Sequence, residues 1–250
     1  MELRRLNVLF ALLSILFAWH ILSILISKPI LPPPLRVLEV FVRSFPSELG
    51  RHAAASLKRV ALSILLAICS AAPLGILLGQ IGSLNRLLSP FVYVLYPVPK
   101  VVFVPIVILF FGIGDFAKIL MIFIILFFQI LVLARDSALS LRPELILSVK
   151  SLGAKKRHLF VYVFLPATLP AIFTGIRQSI GTAIAVLYVA ELFATRYGLG
   201  YFIYLTGTTL FDYPLMYAGI LAMGLLGFGL YFLTDFLEAR VCPWRFSQHG

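Results

Sequence analysis

Few residues in this chain are equipped for chemistry, and they fall in four places. Pro97, Pro99 and Lys100 stand together inside the apolar stretch "LYPVPKVVFVPIVILFFGIGDFAKI". Gln129 and Glu191 are single polar groups within, and at the end of, runs of Phe, Ile, Leu and Val. Lys150, Lys155, Lys156 and Arg157 form a basic block around Gly153 in "SVKSLGAKKRHLFVYVFLPATLP". None of these is an enzyme's constellation. No Gly-x-x-x-x-Gly-Lys-Ser/Thr string is present to cradle a phosphate, so nucleotide chemistry would belong to another chain. His20, His52, His158 and His249 show no metal-ligand spacing, and Cys69 with Cys242 does not make a disulfide framework. What remains is electrostatic: a charge beside apolar surface can attract, pair with or exclude a charged solute.

Each candidate has two readings. The prolines remove backbone donors and break a helix, and broken helices are tolerated at membrane depth where they line a cavity or are covered by other helices. Lys100 beside them either attracts an anion on a pathway or carries its ammonium to an interface. Gln129 either contacts a solute or makes a hydrogen bond between helices. Glu191 needs water or a partner, for which Arg196 is a candidate, and a structural role at an external gate suits it better than solute ligation.

The elements that position these residues follow from composition. Of the 250 residues, 61% are hydrophobic and 12% charged, with mean hydropathy +1.04, far from the balance of a soluble domain. Apolar runs of roughly 20 residues recur, each long enough as a helix to cross about 30 Å of hydrocarbon. They are continuous rather than alternating, which excludes a barrel. The expectation is an all-α polytopic membrane protein, a single transmembrane domain over 1–250 with about six spans at 6–26, 60–79, 90–112, 116–134, 168–190 and 215–237. The first run is too long for a signal-peptide core and no small-residue cleavage site follows it, so it reads as an uncleaved span. Between the first two spans, Leu38, Phe41, Val42 and Phe45 repeat at helical spacing, as in an interfacial amphipathic helix. Gly175, Gly181, Gly224, Gly227 and Gly229 read as sites of close helix packing.

The net charge of +11 does not point to nucleic acid, because the basic residues lie between apolar runs. The Lys150 to Arg157 cluster, in a short loop beside spans, sets the orientation: both termini cytoplasmic. Within that loop, about 140–166, Ser140 is placed to cap a helix whose first turn holds Pro143 and Glu144. Leu145, Val149 and Leu152 then line one face, with Glu144, Ser148 and Ser151 away from them. Gly153 ends that helix, a second begins at Lys155, and Pro166 and Pro170 bracket the return into the membrane. A solvated loop needs no apolar stripe; a helix destined for a groove does.

The segment "SLGAKKRHLFVYVFLPATLPAIFTGIR" resembles the EAA loop of ABC importer permeases, with Gly153 at the family glycine and Leu165-Pro166 at its terminal pair. The stretch 95–119 is similar to the proline-rich third span and FGIG turn of the nitrate, sulfonate and taurine branch. The stretch "VAELFATRYGLGYFI" is similar to that branch's Ala-Glu and Gly-Leu-Gly segment. One departure is plain: Leu147, Ser148 and Val149 stand where the family has Glu-Ala-Ala, and Glu144 lies one turn earlier.

The resemblance implies a non-catalytic permease subunit in a prokaryotic inner membrane, forming the translocation pathway of an ATP-driven importer. Its solute would be nitrate-, sulfonate- or taurine-like; the alternative within the family is a thiamine-precursor-like heterocycle, and outside it an ion-coupled secondary transporter. The implied partners are cytoplasmic ATP-binding subunits, a second permease copy as a homodimer, an extracytoplasmic solute-binding protein and the lipid bilayer. No cofactor would be bound directly; ATP with magnesium would be used by the partner. Glu144, Ser148, Val149, Lys150, Ser151, Gly153, Ala154 and Lys155 would meet the ATPase, while Pro97, Pro99, Lys100, Gln129 and Glu191 are pathway candidates.

Overall fold

The computed structural model describes residues 2–192 and 195–245, with side chains from residue 10 onward. Phe193 and Ala194, inside the Ala-Glu segment, and His249 fall outside the described residues. Every regular element described is helical, in the order α1 (Glu2–Ile26), α2 (Pro34–Ser44), α3 (Gly50–Gln80), α4 (Gly82–Leu95), α5 (Val104–Phe111), α6 (Asp115–Leu139), α7 (Pro143–Ser151), α8 (Lys156–Leu159), α9 (Leu165–Leu192), α10 (Leu199–Tyr204) and α11 (Tyr213–Val241).

Several boundaries differ from those expected, for local reasons. α2 is the expected amphipathic helix, and it runs into α3 through a π turn at Phe45–Leu49, so that helix and the following span are continuous over 47 residues, Pro34–Gln80. At 1.5 Å per residue it is about 70 Å long, more than twice the bilayer core. Gly50 N–H reaches back five residues to Phe45 O, closing the wide turn that holds Pro46 near its start. The expected stripe on α2 turns outward: Leu38, Val42 and Phe45 are exposed, and Val37 is the buried residue. α8 and α9 are likewise joined by a π turn, Phe160–Phe164, so one helix, Lys156–Leu192, passes through Pro166 and Pro170 instead of breaking at them.

The expected third span is broken as its prolines require. α4 and the segment Lys100–Phe111 meet at 79°, and neither half alone is long enough to cross. Among the described residues, four helices are long and apolar enough to span a membrane, five with the bent pair counted as one. The expected first span lies in α1, of which Phe10–Ile26 is a shorter apolar helix.

The chain divides into two compact units, residues 1–56 with 195–225 and residues 57–194 with 226–250. In the first, Val37, Leu49, Leu199, Phe202 and Ala218 are buried, Gly198 N–H donates to His52 Nδ1 at 3.0 Å, and Leu199 N–H donates to Ser56 Oγ at 2.8 Å. In the second, the core is apolar side chains of α3, α6 and α9, among them Ala67, Ile76, Leu126, Ile130, Ile176 and Leu187. Bilayer hydrocarbon is as apolar as leucine, so close packing and polar links must hold such helices together. α3 and α6 approach closely: a Cβ added at Gly75 would lie 2.6 Å from the carbonyl oxygen of Leu131, and one at Gly79 would collide with Ala138.

Of the five glycines expected to mark close packing, two do so. Gly175 lies under Leu133 of α6 and Gly227 beside Ile184 of α9. At Gly181, Gly224 and Gly229 an added Cβ would meet nothing within 4 Å among the described residues. Small residues show where helices could approach, but their spacing does not say which face is covered.

Candidate functional site

The loop between α6 and α9 has the form its sequence predicts, a helix, a glycine bend and a second helix. α7 starts at Pro143 with Arg142 as its cap residue; Ser140 instead ends α6 and turns its hydroxyl to Ser137 O at 2.8 Å. Proline suits this start, because its missing N–H falls where a helix has no acceptor to offer. Gly153 closes α7 with φ +81°, a left-handed conformation costly for any residue with a Cβ, and its N–H bonds Lys150 O at 2.9 Å.

The apolar stripe divides. Val149, with Ile146, packs inward on the core, whereas Leu145, Leu147 and Leu152 face outward at 53%, 59% and 87% exposure. Glu144, Ser148, Lys150, Ser151, Gly153 and Lys155 share the exposed surface, and Ala154 is half-buried. Ser148 and Ser151 donate to Glu144 O and Leu147 O of their own helix, so their hydroxyls are already satisfied.

At the break in the third span, Pro97 and Pro99 are exposed and Lys100 is half-buried. In a continued helix Leu95 O would accept from the N–H of residue 99, which is a proline without one. The Lys100 ammonium takes that place, donating to Leu95 O at 2.9 Å and to Tyr96 O, and it lies 4.9 Å from the centre of the Phe128 ring. A cation is the favoured group at a helix C-terminus, so this geometry is a cap and accounts for Lys100 without a solute. Gln129, next to Phe128, is half-buried and makes no side-chain hydrogen bond among the described residues; the interhelical bond expected of it is not formed within this chain.

Glu191 finds a partner other than the one expected. Arg196 is exposed; the carboxylate instead accepts from Arg59 Nη1 at 2.5 Å, both side chains being at most 4% exposed. Arg59 also donates through Nε and Nη2 to Asp115 Oδ1, at 2.9 and 2.7 Å, and Lys58 Nζ approaches Asp115 Oδ2 at 3.3 Å. Two helix ends, of α6 and α9, are thereby tied to α3. One turn into α6, the fully buried Lys118 donates to Ile113 O at 2.6 Å, capping the carbonyls of the Gly112–Gly114 turn. Sequence reading missed Arg59, Asp115 and Lys118. The available signal was an arginine and a lysine inside runs otherwise fit to span a membrane, since such charges must find partners.

A family model described as binding-protein-dependent transport system inner membrane component matches residues 71–242. This chain belongs to that family of permeases. The taurine transport system permease protein TauC of Escherichia coli (strain K12) is 32% identical over 91% of this chain and 85% of its own length. The putative aliphatic sulfonates transport permease protein SsuC of Bacillus subtilis (strain 168) is 30% identical over 94% of the chain and 86% of its own. The formylaminopyrimidine transport permease protein ThiX of Halalkalibacterium halodurans is 29% identical over 94% of each. Among solved structures, an inward-facing form of the MetNI methionine ABC transporter contains a chain similar in fold, with TM-score 0.64 at 20% identity, covering 77% of this permease and 95% of that chain. The permease is thus a multi-pass inner-membrane component of an ABC importer rather than an ion-coupled carrier, and membership implies ATP-binding subunits and a binding protein alongside it.

Proposed function

We propose that the permease pairs with a second copy of itself and carries a small anionic or zwitterionic solute of the sulfonate or taurine kind, with α7 as the helix that receives the stroke of a cytoplasmic ATP-binding subunit. The observation that carries the docking role is the outward face of α7. Leu145, Leu147 and Leu152 are three leucines on a water-facing loop, beside Lys150 and Lys155. Leu145 and Leu147 lie on nearly opposite sides of α7, and exposed leucines so placed stabilise nothing within the chain and suit a cleft in a partner that encloses the helix, with the lysines available to pair with carboxylates at its rim. Leu147, where the family has glutamate, makes this contact apolar. Glu144, Ser148, Val149, Ser151, Gly153 and Ala154 then hold the shape of the docking element, and both termini are placed on the same, cytoplasmic, side. ATP with magnesium is consumed by the partner, and no cofactor is held by this chain.

The solute class rests on TauC and SsuC as relatives. The similarity to ThiX supports a second reading, a formylaminopyrimidine-like heterocycle. Pro97, Pro99, Lys100, Gln129 and Glu191 keep distinct roles in either case. Gln129, with no side-chain hydrogen bond among the described residues, is the group best able to meet a solute, whereas Lys100 and Glu191 shape the pathway's walls.

Gly153→Val tests the docking role. A β-branched residue is strained at φ +81°, so α7 should be misdirected while the permease still inserts. Co-purification of the ATP-binding subunit and ATP-driven uptake should both fall; undiminished association and uptake would remove α7 from coupling. Uptake of radiolabelled taurine against a formylaminopyrimidine by the complete transporter separates the two solute readings.

A further inference from the structure

A cavity of about 740 Å³ lies where the ends of α3 and α6 meet α7, α8 and the π turn before α9. That size falls in the roughly 300–1,000 Å³ range of ligand pockets. Its walls are largely apolar, with Leu139, Ile146 and Phe160 among them, while Lys150, Lys156 and Arg157 contribute three cations and no carboxylate lines it. None of the three has an ion-pair partner among the described residues.

We propose that this cavity binds an anionic phospholipid, its phosphate held by Lys156 and Arg157, and its glycerol and upper acyl region lying on the apolar walls. The position favours lipid over a free anion. The cavity sits at the ends of membrane-spanning helices, where headgroups are found, and an inorganic ion would leave most of the wall bare. Basic pockets between such helices are suited to anionic headgroups. A lipid so placed bridges α7 and α8 to the α3–α6 pair, so it would brace the proposed docking helix from beneath. The assignment extends the docking reading but needs only that this end meet the membrane surface.

The test uses the full chain alone, without the ATP-binding subunit, so its outcome is independent of docking. Purified permease is exposed to equal amounts of phosphatidylglycerol and phosphatidylcholine, and retained lipid is counted by native mass spectrometry. One phosphatidylglycerol per chain should be retained, preferred by about tenfold or more. Lys156→Gln with Arg157→Gln should abolish the preference; both side chains are exposed, and Arg157→Gln alone should weaken it should the double variant not assemble. Lys28→Gln with Arg36→Gln, cations elsewhere, should leave it intact. Millimolar inorganic phosphate should not displace the lipid. Equal retention of the two lipids, a preference unchanged in the Lys156 and Arg157 variants, or displacement by phosphate alone would overturn the proposal.

Discussion

Along α6 the treatment of charge reverses. At its Asp115 end, Arg59 is shared between Asp115 and the buried Glu191, and Lys118 is spent on backbone carbonyls. At the other end, beyond Leu139, Lys150, Lys156 and Arg157 stand without ion-pair partners among the described residues, beside outward-facing leucines. The first end is electrostatically complete within the chain. The second offers cations and apolar surface to something outside it. With α7 as the proposed docking helix, the distribution of satisfied and unsatisfied charge marks where the subunit ends and its partner begins.

That contrast can be broken at either end. The largest effect should come from Arg59→Met, which leaves Glu191 buried without its guanidinium and should cost about 3–5 kcal/mol, read as a lower Tm of the purified chain. Adding Glu191→Leu should restore much of the loss; an unchanged Tm in the single variant would show that the paired end does not hold the helices. Lys100→Met removes a charged donor from two carbonyls at the end of α4 and should cost about 1.5–3 kcal/mol, with Lys100→Arg milder. If Lys100→Met keeps its Tm and loses only anion uptake, the cap gives way to a pathway role. Gly79→Leu forces a side chain against Ala138 and should cost about 1–3 kcal/mol by overpacking, measured by the same unfolding assay. Smallest should be Lys58→Ala, since that lysine is 62% exposed and an exposed pair is worth only about 0.2–1 kcal/mol.

The sequence made the loop end legible and left the paired end hidden. Gly153 and Pro143 carry local signals, a left-handed stop and a helix start, whereas the expected stripe of Leu145, Val149 and Leu152 divides in the structure. The break at Pro97 and Pro99 is local in the same sense. The Arg59–Glu191 pair joins residues 132 positions apart, and no spacing rule links them; Arg196, five residues from Glu191, was the nearer and mistaken choice. The helix Lys156–Leu192 runs on through Pro166 and Pro170, which a rule about prolines alone does not anticipate; a π turn lies just before Pro166, and Pro170 sits inside α9. Gly75 and Gly79 passed unnoticed for a related reason, since their partner, α6, is named only by the fold.

Crosslinking separates the two ends, because the loop end should meet the ATP-binding subunit and the paired end should not. In the assembled transporter, with Cys69 replaced by serine, Leu147→Cys should form a crosslink to the ATP-binding subunit through a short bismaleimide, whereas Lys58→Cys in the same background should not. A crosslink from position 58, or none from position 147 in a transporter that still hydrolyses ATP and takes up solute, would contradict the account.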